Sequence, residues 1–196
     1  MKRLTVALAC LVAASISPLA AKAPATIPAS ENGSSGIVGE VPGAPPQDTV
    51  ESNWEDKFIK LQPGQDAPRF TLRASDGKQL SLTDIKDKII ILDFWGSWCG
   101  WCIHGFPKMK EYYGKYRDRI EIIGMAYGDT DESWAAALEK HQLPWKNVID
   151  PTDSMIPKYG VHSMPTKVVI GPDYKIVNVF VGETEDFYTQ LDEMLK

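Results

Sequence analysis

Eight consecutive residues constrain the fold of this chain most: Lys88-Ile-Ile-Ile-Leu-Asp-Phe-Trp95. A near-continuous apolar run of this length, rich in β-branched and aromatic side chains, fits a strand buried on both faces, as at the centre of a sheet covered by helices. After three intervening residues come Cys99-Gly100-Trp101-Cys102, where a helix begins that runs to about Tyr116. Ile120 to Tyr127 repeats the buried-strand pattern. Asp129 or Thr130 is placed to cap a helix reaching about His141.

The flanking pattern completes an α/β domain. Ala67-Pro68-Arg69-Phe70-Thr71-Leu72 reads as a strand, Ser75-Asp76-Gly77-Lys78 as a turn, and Gln79 to Leu82 as a second strand, which together make an N-terminal β-hairpin. Beyond His141 the expected elements are a short strand near Val148, a helix from about Ser154 to Tyr159, strands Lys167–Ile170 and Lys175–Phe180, and a closing helix from Thr184 to Lys196. Strands alternating with helices and ending in a hairpin plus helix imply a central mixed β-sheet with helices on both faces.

The first 60 residues read differently. Lys2 and Arg3 precede an apolar stretch broken by Pro18, and Ala21-Lys22-Ala23 fits a small-residue cleavage pattern, so residues 1–23 are expected to be a signal peptide. The uncharged run Leu4 to Ala21 is 18 residues long, which is also compatible with a retained membrane anchor. Cys10 sits inside the apolar run, where a small hydrophobe suffices. Residues 24–60, with Asn32-Gly33-Ser34-Ser35-Gly36 and several prolines, read as a flexible linker with Trp54 and Phe58 near its soft end. The domain is expected over residues 61–196. Cleavage after Ala23 removes three basic residues and no acid, leaving 18 basic against 26 acidic residues and a net charge of -8. Such a balance gives no basic surface for nucleic acid.

After that cleavage Cys99 and Cys102 are the chain's remaining cysteines. Residues i and i+3 share one face of a helix's first turn. The unpaired N–H groups and positive partial charge there favour a thiolate, and two sulfurs so placed can exchange disulfides. Other uses of the pair are a structural disulfide or half of a zinc site. The zinc site would need two further ligands from His104, His141, His162 or carboxylates. Haem attachment requires His after the second cysteine, and Ile103 stands there. Asp93 interrupts the apolar strand, and a buried carboxylate is costly without a partner, so its pKa should rise.

Phe94-Trp95-Gly96-Ser97-Trp98-Cys99-Gly100-Trp101-Cys102, with Pro107 in the following helix, resembles the active-site segment of the TlpA/ResA-like thiol–disulfide oxidoreductases of the thioredoxin superfamily. Gly160-Val161-His162-Ser163-Met164-Pro165-Thr166 resembles their cis-proline loop, and Ala67–Leu72 with Asp76-Gly77-Lys78 their N-terminal hairpin. The resemblance covers about residues 61 to 196 and implies a thioredoxin-like fold. It also implies Cys99 as attacking thiol, Cys102 as resolving thiol and Asp93 as proton relay. Pro165 would be cis after Met164, and Trp98, Gly100, Trp101, Met164 and Pro165 would meet the substrate. No cofactor or metal is implied. The expected partners are extracytoplasmic protein thiols and disulfides, with a membrane thiol reductase as electron donor, and the expected state is a monomer in the periplasm or an equivalent compartment.

Three departures stand out against that resemblance. Many relatives carry glutamate three residues after the second cysteine, where this chain has Gly105. The strand Ile120 to Tyr127 lacks the lysine that partners the aspartate in thioredoxins. Trp101 replaces the proline that accompanies reducing members. Two other functions remain compatible with the sequence: a thiol peroxidase, since peroxiredoxin-like chains share the Ala-Pro-x-Phe-x-Leu pattern, and a module holding copper through the thiols with His162 or Met164.

Overall fold

The structure, a computed structural model, describes residues 58–196. The expected signal peptide, Cys10, Trp54 and nearly all of the expected linker lie outside the described residues. The linker's end does not: Ile59 N–H donates to Pro157 O at 2.9 Å, and the Phe58 ring lies 4.4 Å from that of His162. Residues 58–60 therefore pack on the domain rather than preceding it.

Eleven elements follow in the described residues: β1 (Thr71–Ala74), β2 (Gln79–Ser81), β3 (Ile89–Trp95), α1 (Gly100–Tyr116), β4 (Ile120–Ala126), α2 (Asp131–His141), β5 (Lys146–Ile149), α3 (Met155–Lys158), β6 (Thr166–Ile170), β7 (Ile176–Val181) and α4 (Glu185–Met194). A 3₁₀ turn at Leu82–Asp84 joins β2 to the approach to β3. The strands form one mixed sheet in the order β2-β1-β5-β4-β3-β6-β7. β3, β4 and β5 run parallel to one another, while the β1–β5, β3–β6 and β6–β7 pairings are antiparallel. The central position of β3 and β4 follows from their apolar runs: every residue of β4, and all of β3 after Ile89, is buried.

Pleat alternation divides the core. Ile90, Leu92 and Phe94 face a cluster with Phe70, Leu82, Tyr159 and Val161, which carries α3 and the N-terminal segment. Ile91 and Trp95 face a second cluster built from α1, α2 and α4, with Phe106, Met109, Trp134, Phe187 and Leu191. Side chains at alternate positions of a strand share a face, so Asp93 points toward α1 and α4 with Ile91 and Trp95. Each fully buried Ile, Leu or Phe contributes about 1.5–3 kcal/mol by leaving water.

The hairpin differs from expectation at its start. The first strand begins at Thr71, not Ala67, and pairs Leu72 with Leu80. Pro68 has no N–H for a ladder. Residues before it bond instead at the opposite side of the sheet, with Gly64 N–H on Ile176 O and Ala67 N–H on Tyr174 O. Ala67 and Phe70 then lie buried beneath the crossing segment.

Candidate active site

Both cysteines sit where β3 ends and α1 begins, and the loop between is held at Tyr127 and Asp129. Trp98 Nε1–H donates to Tyr127 O at 3.0 Å. Gly96 makes this possible, because a Cβ there would lie 2.5 Å from Trp98 Nε1 and 3.0 Å from Tyr127 O. Ser97 N–H donates to Asp129 Oδ2 at 2.8 Å, and the Ser97 hydroxyl donates to Asp129 Oδ1. Asp129 in turn accepts from Ser133 Oγ at 2.8 Å. Thr130, not Asp129, caps α2. Asp129, expected as an alternative cap, instead fixes the loop before Cys99 through a contact 32 residues away in sequence.

Cys99 is the N-cap residue of α1 and is disulfide-bonded to Cys102, with Cα atoms 5.3 Å apart. Cys102 N–H donates to Cys99 Sγ at 3.2 Å. In this oxidised state Cys99 is 6% exposed and Cys102 2%, so both cysteines are buried. The exposed surface belongs instead to Trp98 at 57%, Trp101 at 72% and Gly100, which surround the pair.

The Met164–Pro165 peptide is cis. β3 and β6 pair Phe94 with Thr166, which brings the Met164–Pro165 loop to the end of β3 from which the cysteine loop leaves. Pro165 is buried and its carbonyl accepts from Gly182 N–H at 2.8 Å, while Thr166 Oγ donates to Ser163 O at 2.7 Å. Met164 packs against the cluster containing both cysteines.

Asp93 is buried to 1% and lies in register with Lys167, equally buried, on β6. The lysine absent from β4 is thus supplied by the strand on the other side of β3. Lys167 Nζ stands 3.6 Å from Asp93 Oδ1, beyond hydrogen-bonding distance, and donates instead to Glu183 Oε2 at 2.7 Å. Asp93 Oδ1 accepts no hydrogen bond among the described residues. Loss of water raises the Asp93 pKa from 3.8 to about 6; Lys167 opposes this, and Glu183 adds to it. Neither Lys167 nor Glu183 was singled out from the sequence. The available signal was a lysine inside the apolar run Thr-Lys-Val-Val-Ile.

His104 is exposed and meets the Trp101 ring edge-on at 6.0 Å. Among the described residues no group of three or more His, Cys, Asp or Glu side chains is placed to hold a metal ion.

Residues 63–179 match the AhpC/TSA family. The chain is 34% identical over 149 residues, 76% of its length and 85% of the relative's, to thiol-disulfide oxidoreductase ResA of Bacillus cereus. The chain belongs to the AhpC/TSA family, as a thiol–disulfide oxidoreductase of the thioredoxin superfamily. The ResA protein of Bacillus subtilis is 31% identical over 123 residues, 62% of this chain and 69% of that one. The thioredoxin domain of a thiol-disulfide oxidoreductase from Bacteroides vulgatus superposes with a TM-score of 0.65 at 26% identity, covering 70% of this oxidoreductase and all of that chain. A Chlorobium tepidum chain described as thiol:disulfide interchange protein DsbE gives 0.65 at 27% identity over 69% of this chain and 96% of its own. The mixed sheet with flanking helices is thus the thioredoxin-like fold expected from the sequence. No helix among the described residues is long and apolar enough to cross a membrane.

Proposed function

We propose that this oxidoreductase is exported and exchanges its Cys99–Cys102 dithiol with disulfides of extracytoplasmic proteins, acting as a reductant that a membrane thiol reductase recharges. The observation that carries the reading is the disulfide itself, at the start of α1, with Cys99 Sγ receiving the Cys102 N–H and two tryptophans exposed around it. Residues 1–23 act as the signal for export, or as an anchor if uncleaved, residues 24 to 57 act as a tether, and the domain works as a monomer.

The reaction needs no cofactor, because two sulfurs carry both electrons. The Cys99 thiolate, favoured by the helix N-terminus and the Cys102 N–H, attacks one sulfur of the client disulfide. One client sulfur leaves as thiolate and takes a proton from solvent. Cys102 then loses its proton to Asp93 and attacks Cys99 Sγ, which closes the internal disulfide and releases the second client thiol. Burial holds Asp93 near pKa 6, so it is a better base at neutral pH than an ordinary carboxylate. Trp98, Gly100, Trp101, Met164 and Pro165 form the surface against which an extended client segment lies.

The test is catalysed reduction of a protein disulfide at neutral pH with a thiol donor in excess. Turnover by the native chain and background rates from Cys99→Ser support the proposal. Peroxide consumption with no protein disulfide reduced would replace it with the thiol-peroxidase reading.

A further inference from the structure

Two carboxylates and one ammonium lie together under α1, and the ammonium is hydrogen-bonded to the wrong carboxylate for a simple Asp93–Lys167 pair. Lys167 Nζ gives its short bond to Glu183, at 2.7 Å, and stays 3.6 Å from Asp93. Glu183 comes from the loop between β7 and α4, with a side chain only 12% exposed, and its second oxygen accepts from the Tyr188 hydroxyl. Its carboxylate occupies the space over Gly105: a Cβ on Gly105 would lie 2.3 Å from Glu183 Oε2 and 2.4 Å from Cδ. Gly105 stands one helical turn after Cys102, so the two residues share a face of α1. The missing side chain at 105 is therefore filled, from another element, by a carboxylate that reaches Lys167.

The other charged groups around this cluster are accounted for. Lys108 on α1 pairs with Glu185 at 2.5 Å and lies 4.2 Å from the Tyr188 ring centre. His104, Gly105, Lys108, Glu183, Glu185 and Tyr188 line, beside Trp101, a notch of about 210 Å³ that opens to solvent. The far side of the cluster is closed by Phe187, whose ring centre is 5.6 Å from Lys167 Nζ. Water thus has access from the Glu183 side, while Asp93 remains enclosed.

We propose that Glu183 is a positioning residue for disulfide exchange: seated in the space left by Gly105, it draws Lys167 away from Asp93 and keeps Asp93 able to accept the Cys102 proton. The inference rests on the proposed exchange function. Without Glu183, Lys167 would close its 3.6 Å ion-pair contact with Asp93 Oδ1 into a hydrogen bond, and an ammonium so close favours the ionised carboxylate and weakens it as a base. Glu183 itself also contributes to the raised Asp93 pKa, in the same direction.

Two variants test this, Glu183→Gln and Gly105→Ala. In the second, the atoms nearest the new Cβ all belong to the Glu183 carboxylate, which it displaces. Asp93 is followed by ¹³C-carboxyl NMR titration in the oxidised protein, and the pH dependence of oxidation of the reduced protein by a disulfide-linked peptide is measured alongside. The native Asp93 midpoint is expected near 6. Both variants should move it to lower pH, by about one unit for Glu183→Gln, and move the acid limb of the rate profile with it; the double variant should shift no further. An unmoved or raised midpoint in Glu183→Gln overturns the inference, as does a moved midpoint with an unmoved rate limb. A shift in Glu183→Gln that Gly105→Ala fails to reproduce overturns the part assigned to Gly105. A native protein that exchanges with no disulfide overturns the function beneath it, whereas an exchanging native protein with unshifted variants overturns this inference alone.

Discussion

Reduced Cys102→Ser protein mixed with a client disulfide is expected to accumulate a covalent adduct through Cys99 and to lose multiple turnover down to the uncatalysed background. Removing the second thiol leaves the first step intact, since the Cys99 sulfur still caps α1 and still receives the N–H of residue 102, a backbone donor that serine retains. The internal attacker is gone, so the mixed disulfide persists until an external thiol cleaves it. Non-reducing electrophoresis and intact mass read the adduct, and Cys99→Ser should form none. Absence of an adduct in Cys102→Ser, or turnover kept by it, would make the pair a structural bridge.

Asp93→Asn is expected to make the protein more stable at neutral pH and slower in exchange. In the folded chain Asp93 binds its proton up to about pH 6, against 3.8 for an ordinary exposed aspartate such as the unfolded chain has. The folded state therefore holds the extra proton between these values, and the contribution of this group to stability falls as pH rises through that window. Above pH 6 the cost of an ionised buried carboxylate is fully present, on the order of 2–3 kcal/mol. Asparagine removes that cost at pH 7.5 and changes little below pH 4. Urea unfolding at the two pH values measures the difference. The same variant has no proton acceptor at this position, so closure of the internal disulfide should slow by about 10²-fold. A variant less stable at pH 7.5, or one that exchanges at the native rate, would contradict the role given to Asp93.

What the sequence made legible was what short-range chemistry decides. The run from Lys88 to Trp95 fits a central strand, and every residue of β3 after Ile89 is buried. The spacing of Cys99 and Cys102 placed both on the first turn of a helix, and they form a disulfide there. The hairpin was legible except for its first strand, where Pro68 and the bonds from Gly64 and Ala67 to the β7 side move the start to Thr71. Contacts between distant segments were not legible. Asp129 reads locally as a helix cap, yet it accepts from Ser97 because Thr130 already caps α2. Lys167 reads as an oddity in a buried strand until antiparallel register sets it opposite Asp93. Gly105 reads as a lost carboxylate, although Glu183 fills the space above it. The burial of Cys99 was also hidden, because it comes from packing in a cluster with residues of distant segments.

The central claim, that Cys99 is the attacking thiol and Cys102 the buried partner, is tested most directly by timed alkylation of the fully reduced native protein at neutral pH, with each cysteine quantified by peptide mass. Helix-terminal stabilisation of one thiolate predicts that Cys99 is modified at least about 10-fold faster than Cys102. Equal rates, or faster modification of Cys102, would contradict it.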